Sequence, residues 1–224
     1  MQIFRALFIL IFSCTSVFAY EVSPMFQLLE VAGKNSQGSY EVINSDDDDI
    51  FLEAVVYEVS FDFNGKEKLT RAEEDFLVLP PQAQIKQGET QRFRVRYFGN
   101  ALLPQTKVFR LIFEQIQTSD NPEGESTAVE FLVDFSTVVF VSPVKCQAKV
   151  TSIIEKGKLT LINPTNCVSD LNNKSFEFSG SSGTATVSWL ELEAASAGYL
   201  LPKTQQNLKL PQQYTNYTKV LVIE

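Results

Sequence analysis

This chain of 224 residues contains no histidine. That excludes a histidine-based catalytic triad and every metal site that needs an imidazole. Cysteine is scarce as well. Of the three present, Cys14 lies in an apolar leader, which leaves Cys146 and Cys167. Two thiolates with no other soft ligand nearby make a poor metal site, whereas an even pair in an oxidising compartment reads as a disulfide. Closing a loop of that length is worth roughly 3 kcal/mol in the chain-entropy model. Basic residues are the minority, 19 against 27 acidic, which argues against nucleic acid and anionic membranes as partners. Beyond the leader no apolar run approaches the ~20 residues of a membrane-spanning helix. Phosphate-loop chemistry is missing too, because "GSSGTATVS" has neither the lysine nor the following helix. No carboxylate pair can be placed for acid–base or glycosidase work. Glu73, Glu74 and Asp75 are consecutive, and alternate residues of an extended segment point opposite ways. No catalytic residue, cofactor or metal ligand is therefore assigned, and the chain is not expected to be an enzyme.

What is present begins with an export signal. "MQIFRALFILIFSCTSVFA" carries Arg5, an apolar run and a small-x-small ending, so residues 1–19 read as a signal peptide cleaved after Ala19. Without it 18 basic and 27 acidic residues remain, a net charge of −9. The mature chain is expected to be exported and free of the membrane.

The rest reads as strands. Phenylalanine, tyrosine and valine recur with period two, and helical periodicity is almost missing. Asn64-Gly65 marks a hairpin turn after a long strand at 51–63. Gly88 marks another turn, and Phe93, Val95 and Tyr97 then alternate with Arg92, Arg94 and Arg96, so the arginines face away from the core. Residues 106–117 form a strand whose Phe109, Leu111 and Phe113 share one face, which puts Arg110 on the other. The run 46–49, "DDDD", lacks the ligand spacing of a calcium loop and reads as a solvated turn. After Pro143 the pattern restarts, with strands expected at "SFEFSG", "ATVSWLELEA" and "YTKVLVIE". We expect an all-β chain of two β-sandwiches of immunoglobulin type, residues 20–142 and 143–224, with almost no linker.

Residues 126–143, "STAVEFLVDFSTVVFVSP", break the strand rule. Val129, Phe131, Val133 and Phe135 alternate as a half-buried strand should, yet Val138, Val139, Phe140 and Val141 are apolar on both faces. Something must cover the second face.

Several stretches carry a family resemblance. "DFLVLPPQAQIKQGETQRFRVRYF" resembles the Pro-Pro…Ile…Gly…Gln…Arg-Val signature of periplasmic pilus-assembly chaperones, nearest the archaic, spore-coat-U-like branch. "VFRLIFEQI" is similar to their penultimate strand, and "FLVDFSTVVFVSP" to the strand that leads into their hinge. "VSPMFQLLEV" and "GYLLPKTQQNLKLP" also resemble members of the group.

The resemblance implies two Ig-like domains in a boomerang with a cleft between them. It also implies a chaperone of pilus or fimbrial subunits in the periplasm, which delivers them to an outer-membrane usher. In donor-strand complementation the chaperone lends alternate apolar side chains of an edge strand to an incomplete subunit. By position those are Val129, Phe131, Val133 and Phe135, Leu132 turns inward, and the run from Val138 enters the hinge. Relatives hold the subunit's terminal carboxylate with a basic pair that has no counterpart here. The first strand has no basic residue, Thr137 and Val138 are uncharged, and Asp134 is acidic where archaic members are more often basic. A buried carboxylate needs a partner, so Arg110 is the candidate anchor and Lys107 the second. A secreted Ig-like adhesin or structural surface protein is the alternative reading, and a carbohydrate-active β-sandwich a third.

Overall fold

The computed structural model describes residues 20–117, 132–181, 183–192 and 198–223. The signal peptide, Val129 and Phe131 lie outside them. Ten strands precede Pro143: β1 (Glu21–Ser23), β2 (Phe26–Glu30), β3 (Gln37–Ile43), β4 (Ile50–Phe61), β5 (Glu67–Arg71), β6 (Phe76–Leu79), β7 (Gln82–Ile85), β8 (Thr90–Tyr97), β9 (Lys107–Gln115) and β10 (Phe135–Ser142). They form a sheet of order β1-β3-β8-β6 and a second of order β2-β10-β9-β4-β5, with β7 also on β4.

The alternation of the sequence carries straight into this sandwich. Phe93, Val95 and Tyr97 of β8 and Phe109, Leu111 and Phe113 of β9 are buried in one core. Arg92, Arg94 and Arg96 are exposed. The β4–β5 hairpin turns where Asn64-Gly65 predicts it. Asp62 Oδ1 accepts the N–H groups of Asn64 (2.8 Å) and Lys66 (2.9 Å), and Gly65 takes a φ of 76° that other residues rarely adopt. The acidic run is a turn organised by buried Asn44, whose amide donates to Asp48 O (2.8 Å) and Ile85 O (3.0 Å).

Eight strands follow Pro143: β11 (Thr151–Glu155), β12 (Lys158–Asn163), β13 (Ser169–Asp170), β14 (Ser175–Gly180), β15 (Gly183–Ser188), β16 (Tyr199–Leu200), β17 (Thr204–Lys209) and β18 (Lys219–Ile223). They pack in sheets β11-β12-β17, β15-β14-β18 and the pair β13-β16. Their own core is built around Leu159, Leu161, Phe176, Phe178 and Trp189. One local expectation changes here. "ATVSWLELEA" is not one long strand, because β15 ends at Ser188 and a short helix, α1 (Trp189–Leu192), follows. Ser188 donates through its N–H (3.1 Å) and hydroxyl (2.7 Å) to Glu191 Oε1, a capping interaction that starts the helix. Cys146 and Cys167 are joined, with their Cα atoms 5.6 Å apart.

The two sandwiches meet in a packed joint. Tyr199 lies against Phe140 (ring centroids 4.6 Å) and Phe26 (5.9 Å). Thr106 ties the backbones together: its N–H donates to Asn166 O (2.9 Å), and its hydroxyl accepts the Val168 N–H (3.0 Å).

Candidate subunit-binding edge

The doubly apolar run of β10 is explained by this joint. Thr137, Val139 and Val141 are buried on the inner face, and the two valines belong to the first core. Val138 and Phe140 are buried on the outer face, packed with Val168, Phe26, Tyr199 and Leu201. The first sandwich thus covers the inner face, and the second, through Val168, Tyr199 and Leu201, joins Phe26 of β2 in covering the outer one.

The edges of β10 are not equivalent along its length. One edge is paired throughout with β9, from Phe135↔Phe113 to Val141↔Lys107. The other is paired with parallel β2 only from Val138 onward, Val138↔Phe26 to Ser142↔Glu30. The Val138 N–H donates to Met25 O (3.0 Å), and Ser142 O accepts the Val31 N–H (2.9 Å). Main-chain groups alternate sides along a strand, so those of Ser136, two residues before Val138, face the same side. Among the described residues no strand lies there. Phe135, Ser136 and Thr137 therefore present an open strand edge, a template for another strand.

Of the four residues expected to be lent, two are described. Val133 precedes β10 and is 38% exposed. Phe135 is half-buried against the first core, its ring 4.7 Å from that of Tyr20. A lent Phe135 would have to leave that contact. Leu132 does not turn inward: it is 45% exposed, because β10 starts only at Phe135 and no core lies under the residues before it.

Sequence reasoning missed Tyr20, which secures the base of this segment. Its hydroxyl lies 2.8 Å from both Phe113 O and Val133 O, and burial pushes that hydroxyl well above the usual tyrosine range. Gln115 and Asp134 add a side-chain bridge, with Val133 N–H to Gln115 Oε1 (3.1 Å) and Gln115 N–H to Asp134 Oδ1 (3.0 Å).

The two candidate anchors are on opposite faces of β9. Lys107 shares the parity of Phe109 and Leu111, and its Nζ lies 2.7 Å from Glu58 Oε1. Arg110 is on the outer face and grips Glu67 of β5 with two parallel bonds, Nε to Oε1 and Nη2 to Oε2, both 2.9 Å. These bonds hold the Glu67 carboxyl below its usual range and raise the guanidinium above its own. One ligand cannot be shared by Arg110 and Lys107. Alternation with Phe109 could have shown that in advance. No local signal pointed to Glu67.

The outward arginines of β8 border a separate shallow pocket of about 500 Å3, with Leu77 and Leu79 on its rim. Arg92 there pairs with Glu41. No His/Cys/Asp/Glu cluster fit to hold a metal occurs among the described residues, and no described helix is long and apolar enough to cross a membrane.

These features define a two-sandwich Ig-like protein with a half-open strand edge at the joint. Residues 25–147 match the family described as pili and flagellar-assembly chaperone, PapD N-terminal domain, and the chain belongs to that family. No curated protein matches it. Solved structures share the fold across both units. The Escherichia coli chaperone DraB is 19% identical, with a TM-score of 0.55 over 92% of this chain and 96% of that one. A structure of the Salmonella enterica SafA pilin with the SafB chaperone gives 13%, 0.55, 93% and 97%. The CsuC–CsuE chaperone–tip subunit complex from archaic Csu pili of Acinetobacter baumannii gives 15%, 0.50, 85% and 89%.

Proposed function

We propose that this protein is a periplasmic chaperone that binds pilus or fimbrial subunits through the open edge of β10 and passes them to an outer-membrane usher. The observation that carries the reading is the half-open edge, in a chain of the pilus-assembly chaperone family. A subunit strand runs beside Phe135, Ser136 and Thr137 and pairs with the main chain of Ser136, whose groups face the open side. Side chains from the segment before them, Val129, Phe131 and Val133, fill the subunit's groove. Each such side chain buried is worth ~1.5–3 kcal/mol before association costs. Phe135 joins this set only by giving up its contact with Tyr20. The chaperone domain spans residues 20–142, and 143–224 form the second domain that buttresses its last strand.

Arg110 is the anchor for the subunit's terminal carboxylate. β2 stops an added strand at Val138, and Val138 is the register partner of Arg110. A chain running along the edge in the direction of β10 thus ends level with Arg110 in the strand register. Lys107, on the far face and paired with Glu58, is the weaker candidate. The family match favours this binding role over the adhesin and enzyme alternatives.

The test is periplasmic co-expression with pilin-like proteins encoded beside this chain's gene. Soluble subunit should accumulate only with the chaperone, and Phe131→Asp should weaken the complex. Subunit solubility that ignores the chaperone, or an unaffected complex with Phe131→Asp, would overturn the proposal.

A further inference from the structure

We infer that the side chains of Gln115 and Asp134 stand in for the next rung of the β9–β10 ladder and hold Val133 one rung short of its strand position. They are positioning residues for the lent segment, and lending Val133 replaces their bonds with main-chain ones. This rests on the reading of Val133 as a lent residue.

The register defines the missing rung. β9 and β10 pair from Val141↔Lys107 to Phe135↔Phe113 and stop there. Odd-numbered residues of β10 turn their main-chain groups to β9, because Val138 donates its N–H to Met25 O on the other side. The next rung in that series joins Val133 and Gln115, with main-chain bonds running both ways. Among the described residues neither bond is formed. Side chains hold the groups instead. The Val133 N–H donates to Gln115 Oε1 (3.1 Å), and the Gln115 N–H donates to Asp134 Oδ1 (3.0 Å). Val133 O lies 2.8 Å from the Tyr20 hydroxyl. The ladder therefore stops with its main-chain groups satisfied rather than fraying into solvent.

Exchange between the two arrangements costs little. Asp134 is exposed, so its carboxylate returns to water freely. Side-chain bonds give way to main-chain bonds, each of similar net worth at about 1 kcal/mol. A carbonyl accepts two bonds, so Tyr20 stays on Val133 O throughout and keeps the segment at β9. A ligand that prefers one of two such states shifts the balance toward it. Pairing at Val133 sets its side chain on the same face as Phe135, in one apolar row. A subunit groove that takes this row selects the paired form. The free protein keeps its strand shorter and offers less edge to unrelated strands.

The experiment is NMR of the isotope-labelled mature protein. The readout is contact between the α protons of Asp134 and Glu114, which oppose each other once the rung forms, with Cα atoms about 4.5 Å apart. In the free wild type this contact should be missing. In Asp134→Ala and in Gln115→Ala it should appear without any ligand, and an otherwise unchanged amide spectrum shows that each variant has folded. Asp134→Asn keeps an acceptor for the Gln115 N–H and should behave as the wild type does. A merely structural bridge predicts the reverse, a frayed segment with the contact missing in both alanine variants. That result would overturn the inference, as would the contact in the free wild type. Labelled wild type bound to the co-expressed pilin-like subunit should show the contact. A stable complex without it would overturn the exchange and leave subunit binding in place. No complex, with the contact present in the free alanine variants, would overturn the lending of Val133 instead.

Discussion

Tyr199→Ala should uncouple the two sandwiches. The ring of Tyr199 packs on Phe140 at 4.6 Å and on Phe26 at 5.9 Å, and both phenylalanines belong to the first sandwich. Aromatic pairs of this geometry contribute about 0.5–1.5 kcal/mol each beyond the area they bury, so two of them are worth about 1–3 kcal/mol. The loss falls on the joint, because Tyr199 lies in neither main core. Urea unfolding can separate the halves by signal. Trp189, the single tryptophan, is buried in the second core and reports that unit alone, whereas far-UV circular dichroism reports both. The wild type should unfold with coincident transitions. In Tyr199→Ala the two signals should part, with one midpoint falling by about 0.5–1.5 M at a slope of roughly 2 kcal/mol per molar urea. Coincident transitions at an unshifted midpoint would refute the claim that this aromatic contact couples the units.

Tyr20→Phe removes one hydroxyl shared by Phe113 O and Val133 O. It should cost about 1 kcal/mol and accelerate amide exchange at Val133 and Gln115, while Trp189 emission stays unchanged. Reduction of Cys146–Cys167, which closes a sequence separation of 21, should cost roughly 3 kcal/mol and lower the Trp189 transition first. Mass spectrometry of unreduced periplasmic protein should find no free thiol. The Arg110–Glu67 pair should also show in pH dependence. Its bonds depress the Glu67 carboxyl in the folded state, so their contribution is complete above the unfolded value of about 4.3 and is lost as pH falls through the lower folded value. The stability difference between wild type and Glu67→Gln should be constant from pH 7 to 5 and shrink below about pH 4.

The parts of this protein that obey a local period were legible without a structure. Alternation of Phe93, Val95 and Tyr97 with arginines marked one buried face, and Phe109, Leu111 and Phe113 marked another. Asn64-Gly65 marked a turn because few residues accept its backbone angles. Ser188 followed by Glu191 held a helix-start signal as well, and the strand pattern around it hid that signal. The unbroken run from Val138 to Val141 showed that something must cover both faces of one strand.

What covers them is a tertiary matter. Parallel β2 closes the edge of β10 at Val138 and, among the described residues, leaves Phe135, Ser136 and Thr137 open, although β2 lies more than a hundred residues earlier in the chain. Tyr199 reaches the outer face from the second sandwich, and Glu67 meets Arg110 across 43 positions. No local period encodes such meetings. They depend on strand order, on register and on how one sheet packs against the next unit. The sequence by itself determined that these strands form and which side chains each one buries, because a two-residue repeat settles that locally. Only the tertiary structure decided which length of β10 stays open and which carboxylate holds Arg110, because both depend on segments far apart in the chain coming together.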